Sequence, residues 1–299
     1  MTFSAAQLHE REAIVHPSGR DDRVLPAAHT AALVVFLILV PAVVVLWGTP
    51  SHTADRWAWT ITPNLTAIFL GSGYGAGVFF FWRTYRAERW HPSSAGVLGA
   101  SAFAALMLLA TLLHWGKFNH GHAPFLAALA FWGWTIVYVI SPPAVFALWW
   151  RNRATDAGRR LRGDPFMPAW ILGVARVCGV VALATAAVFY ISPSAAMHVW
   201  SWKLTPLTAR VLASFIAQVG VGAVVLSFER RWSGWQLIVQ TFFVASALLL
   251  VGAARESGDF GPSAMRTALY IGGLLAADAA LLTLYARMEW AISRRPARR

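Results

Sequence analysis

Residues 29–48 read HTAALVVFLILVPAVVVLWG, a run without a single Asp, Glu, Lys or Arg. A helix needs about 20 apolar residues to cross the hydrocarbon core of a bilayer, and this run supplies them. Seven more apolar blocks follow, near 63–82, 95–114, 125–149, 169–192, 207–227, 235–254 and 265–287. The sequence therefore predicts an all-α integral membrane protein with eight transmembrane helices.

Composition agrees. Of the 299 residues, 58% are hydrophobic, against about 45–50% in a soluble domain. Only 13% are charged, and the chain holds 16 Trp and 18 Phe, more than one globular core needs. A soluble enzyme, a disordered chain and a disulfide-stapled secreted module are excluded, the last because Cys178 is the only cysteine. Cys178 falls inside an apolar block and reads as a small packed residue.

The formal net charge of +12 would suggest a nucleic-acid partner in a soluble protein. Here the basic residues occupy short loops, so membrane topology accounts for them and no nucleic-acid partner is expected. The only lysines, Lys117 and Lys203, lie at block ends, which excludes a Schiff-base lysine inside the bundle. The first 28 residues mix signs (Glu10, Arg11, Glu12, Arg20, Asp21, Asp22, Arg23), unlike a cleavable signal, so the first block is expected to stay as an anchor.

Eight spans put both termini on one side. That side carries 18 of the 25 Lys and Arg, the other six, and Arg176 lies within a span. By the positive-inside rule both termini are expected to be cytoplasmic.

The most specific signal is a repeat. Trp57-Ala58-Trp59-Thr60-Ile61-Thr62-Pro63 returns as Trp200-Ser201-Trp202-Lys203-Leu204-Thr205-Pro206, an offset of 143 that also matches Pro50 with Pro193. One residue is then lost. At an offset of 142, Arg89-Trp90 matches Arg231-Trp232, and Gly116 and Phe118 match Gly258 and Phe260. This reads as a tandem duplication of a four-helix unit: repeats 26–153 and 168–295, an Arg-rich linker 154–167, a cytoplasmic segment 1–25 and a basic tail 296–299. An even number of spans per unit makes the repeats parallel, about an axis along the membrane normal.

In the motif, Thr62 or Thr205 suits an N-cap with Pro63 or Pro206 opening the helix. Trp57, Trp59, Trp200 and Trp202 read as interfacial anchors, or as aromatic walls around an outward-facing site. Gly71, Gly73, Gly75 and Gly77 in the second span have the spacing of closely packed helices; a permeation path is the alternative. Pro142-Pro143 should kink the fourth span.

Three sets of residues could carry chemistry. His114, His120 and His122 form the densest histidine run and suit Zn, Cu, Ni or Fe, although no Cys or HExxH spacing supports them. A haem needs facing histidines at depth, and none is central. Arg176 and Asp278 lie at similar depth in spans five and eight, as a candidate ion pair that is either structural or proton-coupled. Gln218 and Gln240 are further buried polar candidates. No nucleophile elbow, phosphate loop or paired-carboxylate motif occurs, which argues against an enzyme.

The stretch Trp57–Pro63, followed by Thr66-Ala67-Ile68-Phe69-Leu70-Gly71 and Tyr74, resembles a group of uncharacterised multi-pass membrane proteins of high-GC, actinobacterial-type genomes. The likeness covers the second span and its return in the sixth. It implies a bacterial inner-membrane setting and supplies no catalytic residues.

Three functions fit this reading. The first is a transporter or permease, moving a small solute or ion through a site between the repeats that opens toward the outer face. The second is a membrane metal or haem protein using the histidine run. The third is a non-catalytic subunit that binds a protein partner or a second copy of itself.

Overall fold

The computed structural model describes residues 20–121, 123–159 and 163–294. Eight helices are each long and apolar enough to cross a membrane. They are α1 (Pro26–Val43, continued to Gly48 by a π-helical turn), α2 (Asn64–Tyr85), α3 (His91–Leu113), α4 (Phe125–Asn152), α5 (Ala169–Ile191), α6 (Pro206–Leu226), α7 (Trp232–Arg255) and α8 (Ala264–Ser293). This is a multi-pass helical membrane protein. Among the described residues there is no sheet, only three isolated bridges.

The helices sort into an inner and an outer set. In α2, α3 and α6 about half of the membrane-length window is buried (56, 44 and 50%), whereas in α8 none is. The inner helices α2, α3, α6 and α7 pack as α2 on α7, α3 on α6 and α3 on α7. Each outer helix leans on one inner neighbour: α1 on α2, α4 on α3, α5 on α6 and α8 on α7. Lipid is as apolar as Leu, so close contact between such helices comes from small residues that let backbones approach. A Cβ on Gly71 would lie 2.9 Å from the Trp47 backbone nitrogen, and one on Gly179 would lie 3.0 Å from the Gly220 carbonyl oxygen. The glycines of α2 are thus packing positions.

At the end carrying the termini, short backbone contacts tie chain segments to the starts of α3 and α7. Val24 N–H donates to Glu88 O (3.2 Å) and Trp90 N–H to Asp22 O (2.8 Å). Met167 N–H donates to Arg230 O (2.8 Å) and Trp232 N–H to Pro165 O (3.1 Å). Trp90 and Trp232 are fully buried there. The His91 ring pairs with the Asp22 carboxylate and meets Ser233 Oγ at 2.8 Å, while Ser233 donates to Asp164 at 2.6 Å.

At the opposite end, Asn119 N–H donates to Ala58 O and Gly261 N–H to Ser201 O, each at 2.8 Å. Helix α6 opens as its sequence asks, with Thr205 as N-cap in a capping box and Pro206 in the first turn. Helix α2 does not. It starts at Asn64 after a cis Thr62–Pro63 peptide, with no side-chain cap of its own. Its orphan N–H at Leu65 donates instead to Asp259 Oδ2 (2.8 Å), and Asn64 Nδ2 to Glu256 Oε2 (3.2 Å). Lys117, at an offset of 142 from Asp259, carries an ammonium that cannot accept a bond, and α6 caps itself.

Cys178 is exposed on α5, not packed, among the outward valines Val174, Val177 and Val181. Helix α8 runs to Ser293, beyond the predicted 287, because its last turns pair with α7: Glu289 accepts from Trp232 Nε1 at 2.9 Å and Gln236 Nε2 at 2.8 Å.

Candidate functional site

The packing scheme leaves one outer pair unclosed. Helices α1 and α4 barely touch, and α2, α3 and α6 floor the space between them. Two adjoining grooves result. One, of about 350 Å³, lies toward the Trp motifs between Ile38–Val45 and Leu126–Tyr138. The other, of about 320 Å³, continues toward the termini as far as Leu148, with Phe215 and Gln218 of α6 on its floor. Along α4 the lining runs from Leu126 to Leu148, about 33 Å at the helical rise and so about one bilayer core. Its rim residues Val34, Ile38, Ile136 and Ile140 are exposed, so the groove opens sideways into the membrane.

The walls are aliphatic and aromatic, with polar groups at few points. Where the grooves meet, the buried Tyr74 and Tyr138 hydroxyls hydrogen-bond each other at 2.7 Å. That bond uses one of their two O–H groups and leaves the other to donate. Trp57 forms the wall nearest the Trp-motif end, edge-on to Trp134 at 5.7 Å, and its buried indole N–H has no partner among the described residues. Arg56 stands exposed at that end. At Gly133 an added Cβ meets nothing within 4 Å, because the groove lies in front of it.

The motif tryptophans sit inside the protein. Trp57, Trp59 and Trp202 are at most 8% exposed, which removes them from an anchoring role at the lipid headgroups. They join an aromatic chain that crosses the bundle. Trp57 touches Tyr74 at 6.4 Å, Tyr74 meets Phe215 at 6.2 Å, Phe215 meets Phe69 at 5.5 Å, and Phe69 meets Trp200 at 6.2 Å. Trp202 Nε1 donates to Thr66 Oγ1 at 2.9 Å, so α2 holds the second motif as well as following the first.

Arg176 and Asp278 form no ion pair. Arg176 donates to Ser227 at 3.4 Å and lies over the Phe228 ring, whereas Asp278 accepts from Ser246 at 2.6 Å on α7. The second carboxylate oxygen of Asp278 is buried without a partner among the described residues. Gln240 donates to Tyr285 at 2.8 Å and accepts from Arg83 at 3.0 Å.

The histidine run does not converge. His114 Nε2 accepts from Arg210 Nη1 at 2.7 Å. Burial, with the charges of Arg210 and Lys117, holds its pKa below the ordinary histidine value, so it is a neutral acceptor already in use. His120 instead stacks on Trp115 at 5.7 Å. His122 lies outside the described residues, among which no three His, Cys, Asp or Glu are grouped to hold a metal ion.

Sequence reasoning missed Arg56, Gly133 and Tyr138. Tyr138 carried a signal, since it is one of only six tyrosines and falls mid-block. Comparison with family models, curated proteins and solved structures finds no match to the chain.

Proposed function

We propose that this is a permease-like protein that takes a lipid-like amphiphile from the bilayer into the groove between α1 and α4. The observation that carries the reading is the groove itself: it is open sideways along about a bilayer core and mostly apolar, with polar side chains at Arg56, at the Tyr74–Tyr138 waist and at Ser141 and Gln218 deeper in. A water-soluble solute would find few partners there, and a hydrocarbon chain finds many. Phe215 and Gln218 on the floor come from the second proposed repeat, so the groove also borders the junction between the halves.

Several observations support the tandem duplication. Exchanging the halves turns α2 on α7 into α6 on α3, and α1 on α2 into α5 on α6, all of which occur. The backbone bonds described above at both ends recur at offsets of 143 and 142. So does the bond from Trp47 Nε1 to Leu248 O (3.3 Å), which returns as Tyr190 Oη to Leu106 O (2.6 Å). His91 and Ser233, equivalent at an offset of 142, meet each other, as residues beside a twofold axis do. On this reading the termini lie in the cytoplasm, supported by the 18-to-six distribution of basic residues, and the Trp motifs face outward.

The test is native mass spectrometry of the purified protein beside Gly133→Trp, whose Cβ meets nothing within 4 Å and whose ring is directed at the groove volume. The wild type should carry a co-purifying amphiphile that the variant loses while remaining folded. Equal loading of both proteins would overturn the reading.

A further inference from the structure

We infer that the end of the groove beside Arg56 receives an anionic head group, so that the occupant is an acidic amphiphile, a long-chain carboxylate or phosphate. The inference rests on the groove reading above and assigns its polarity.

Among the described residues, the unpaired polar side chains on the groove wall at this end are donors; the carboxylate of Asp55 is not part of that wall. Among the described residues Arg56 is the only charged one on the wall of the outer groove. Three other arginines on the membrane-spanning helices have acceptors: Arg83 has Gln240, Arg210 has His114 and the Tyr190 carbonyl, and Arg255 has the Trp47 carbonyl and Glu256. Among the described residues Arg56 has no ion pair, hydrogen bond or ring contact, and the neighbouring Asp55 does not pair with it. A guanidinium offers five N–H groups and no acceptor, and an indole N–H likewise only donates. Trp57 adds such an N–H, buried and without a partner among the described residues, to the same wall. The tyrosine pair deeper in leaves one more O–H. A head group that complements donors alone is an oxyanion, and guanidinium matches carboxylate and phosphate with paired bonds. The hydrocarbon chain then runs from Arg56 along Leu129, Ala130 and Gly133 toward Tyr138.

Three chain-matched probes test this: hexadecanol, hexadecanoate and hexadecyl phosphate, each titrated into the full-length protein in a neutral detergent, with bound fractions read by native mass spectrometry. The wild type should bind the two acids about tenfold more tightly than the alcohol, the span of one charge-assisted hydrogen bond partly screened by water. Arg56→Gln should bring the acids down to the affinity of the alcohol and leave the alcohol unchanged, and Arg56→Lys should restore part of the preference. The ratio between hexadecyl phosphate and hexadecanoate identifies which oxyanion is preferred. If wild type holds the alcohol as tightly as the acids, or Arg56→Gln keeps the preference, the head-group assignment fails while the groove reading stands. If none of the three binds, both fail.

Discussion

Arg89 and Arg231 occupy equivalent places in the repeated Arg-Trp pair, and each takes part in an equivalent backbone bridge, Arg23 with Arg89 and Phe166 with Arg231. Their side chains differ in surroundings. Arg89 is exposed, and its side chain makes no hydrogen bond, ion pair or ring contact among the described residues. Arg231 is 5% exposed and grips two carboxylates, Asp156 at 2.9 and 2.6 Å and Glu229 at 2.8 and 2.6 Å. Burial of Asp156 opposes its charge, but the Arg231 hydrogen bonds, with the Gly158 N–H and the charges of Arg231 and His91, prevail and hold its pKa below the ordinary carboxylate value. Burial likewise opposes the Arg231 charge, and the bonds to Glu229 and Asp156 raise its pKa.

Arg231→Met would strand both acids. Breaking a buried pair costs about 3–5 kcal/mol. The two carboxylates keep some water, being 21 and 19% exposed, which favours the lower end, about 3 kcal/mol. Arg231→Lys keeps the charge without the fork and should lose about half of that. Arg89→Met should stay within about 0.5 kcal/mol of wild type. Unfolding by sodium dodecyl sulfate titration from neutral micelles, followed by circular dichroism, measures all three. Because the folded Asp156 pKa is depressed, its contribution is complete above the unfolded value of about 3.9 and is lost as pH falls through the folded value. The gap between wild type and Arg231→Met should therefore hold from neutral pH to about pH 5 and narrow below about pH 4. Equal effects at positions 89 and 231, or an Arg231→Met loss under about 1 kcal/mol, would refute the reasoning.

Asp259→Ala removes the cap that α2 takes from the loop before α8, and should cost about 1–2 kcal/mol in the same titration, whereas Lys117→Ala at the aligned position should be near neutral. Gly71→Leu forces a side chain onto the Trp47 backbone and should cost about 1–3 kcal/mol or prevent folding, while Gly133→Leu, facing open groove, should leave stability unchanged. Asp278→Asn keeps an acceptor for Ser246 and removes a buried charge, so stability should not fall. If Asp278 couples protons to flux, that variant should lose pH-driven movement of a fluorescent long-chain acid in liposomes, and wild-type flux would end the coupling role.

Hydropathy located the eight spans because length and apolarity are local properties, and seven of them begin and end within four residues of expectation. The eighth ran on because contacts with α7, Glu289 above all, hold turns that carry charge. The Trp motifs were legible as a pattern but not as buried walls, since hydropathy does not distinguish an indole facing lipid from one facing α2. Arg176 and Asp278 show the same limit. Their depth could be counted along the chain, but the direction each faces depends on packing, and they point to Ser227 and Ser246 on different neighbours. The cap on α2 was hidden because it comes from Asp259, 194 residues away. The groove left no mark because it is a contact that α1 and α4 fail to make.

The most direct test of that groove is photolabelling of the reconstituted protein with a long-chain fatty acid carrying a diazirine in its chain, followed by peptide mapping of the adducts. Adducts should concentrate on Ile38–Val45 and Leu126–Tyr138, the facing walls of the outer groove. Labelling of the exposed valines Val174, Val177 and Val181 on α5 at the same frequency would mean that the acid meets this protein only as bulk lipid, and would contradict the account.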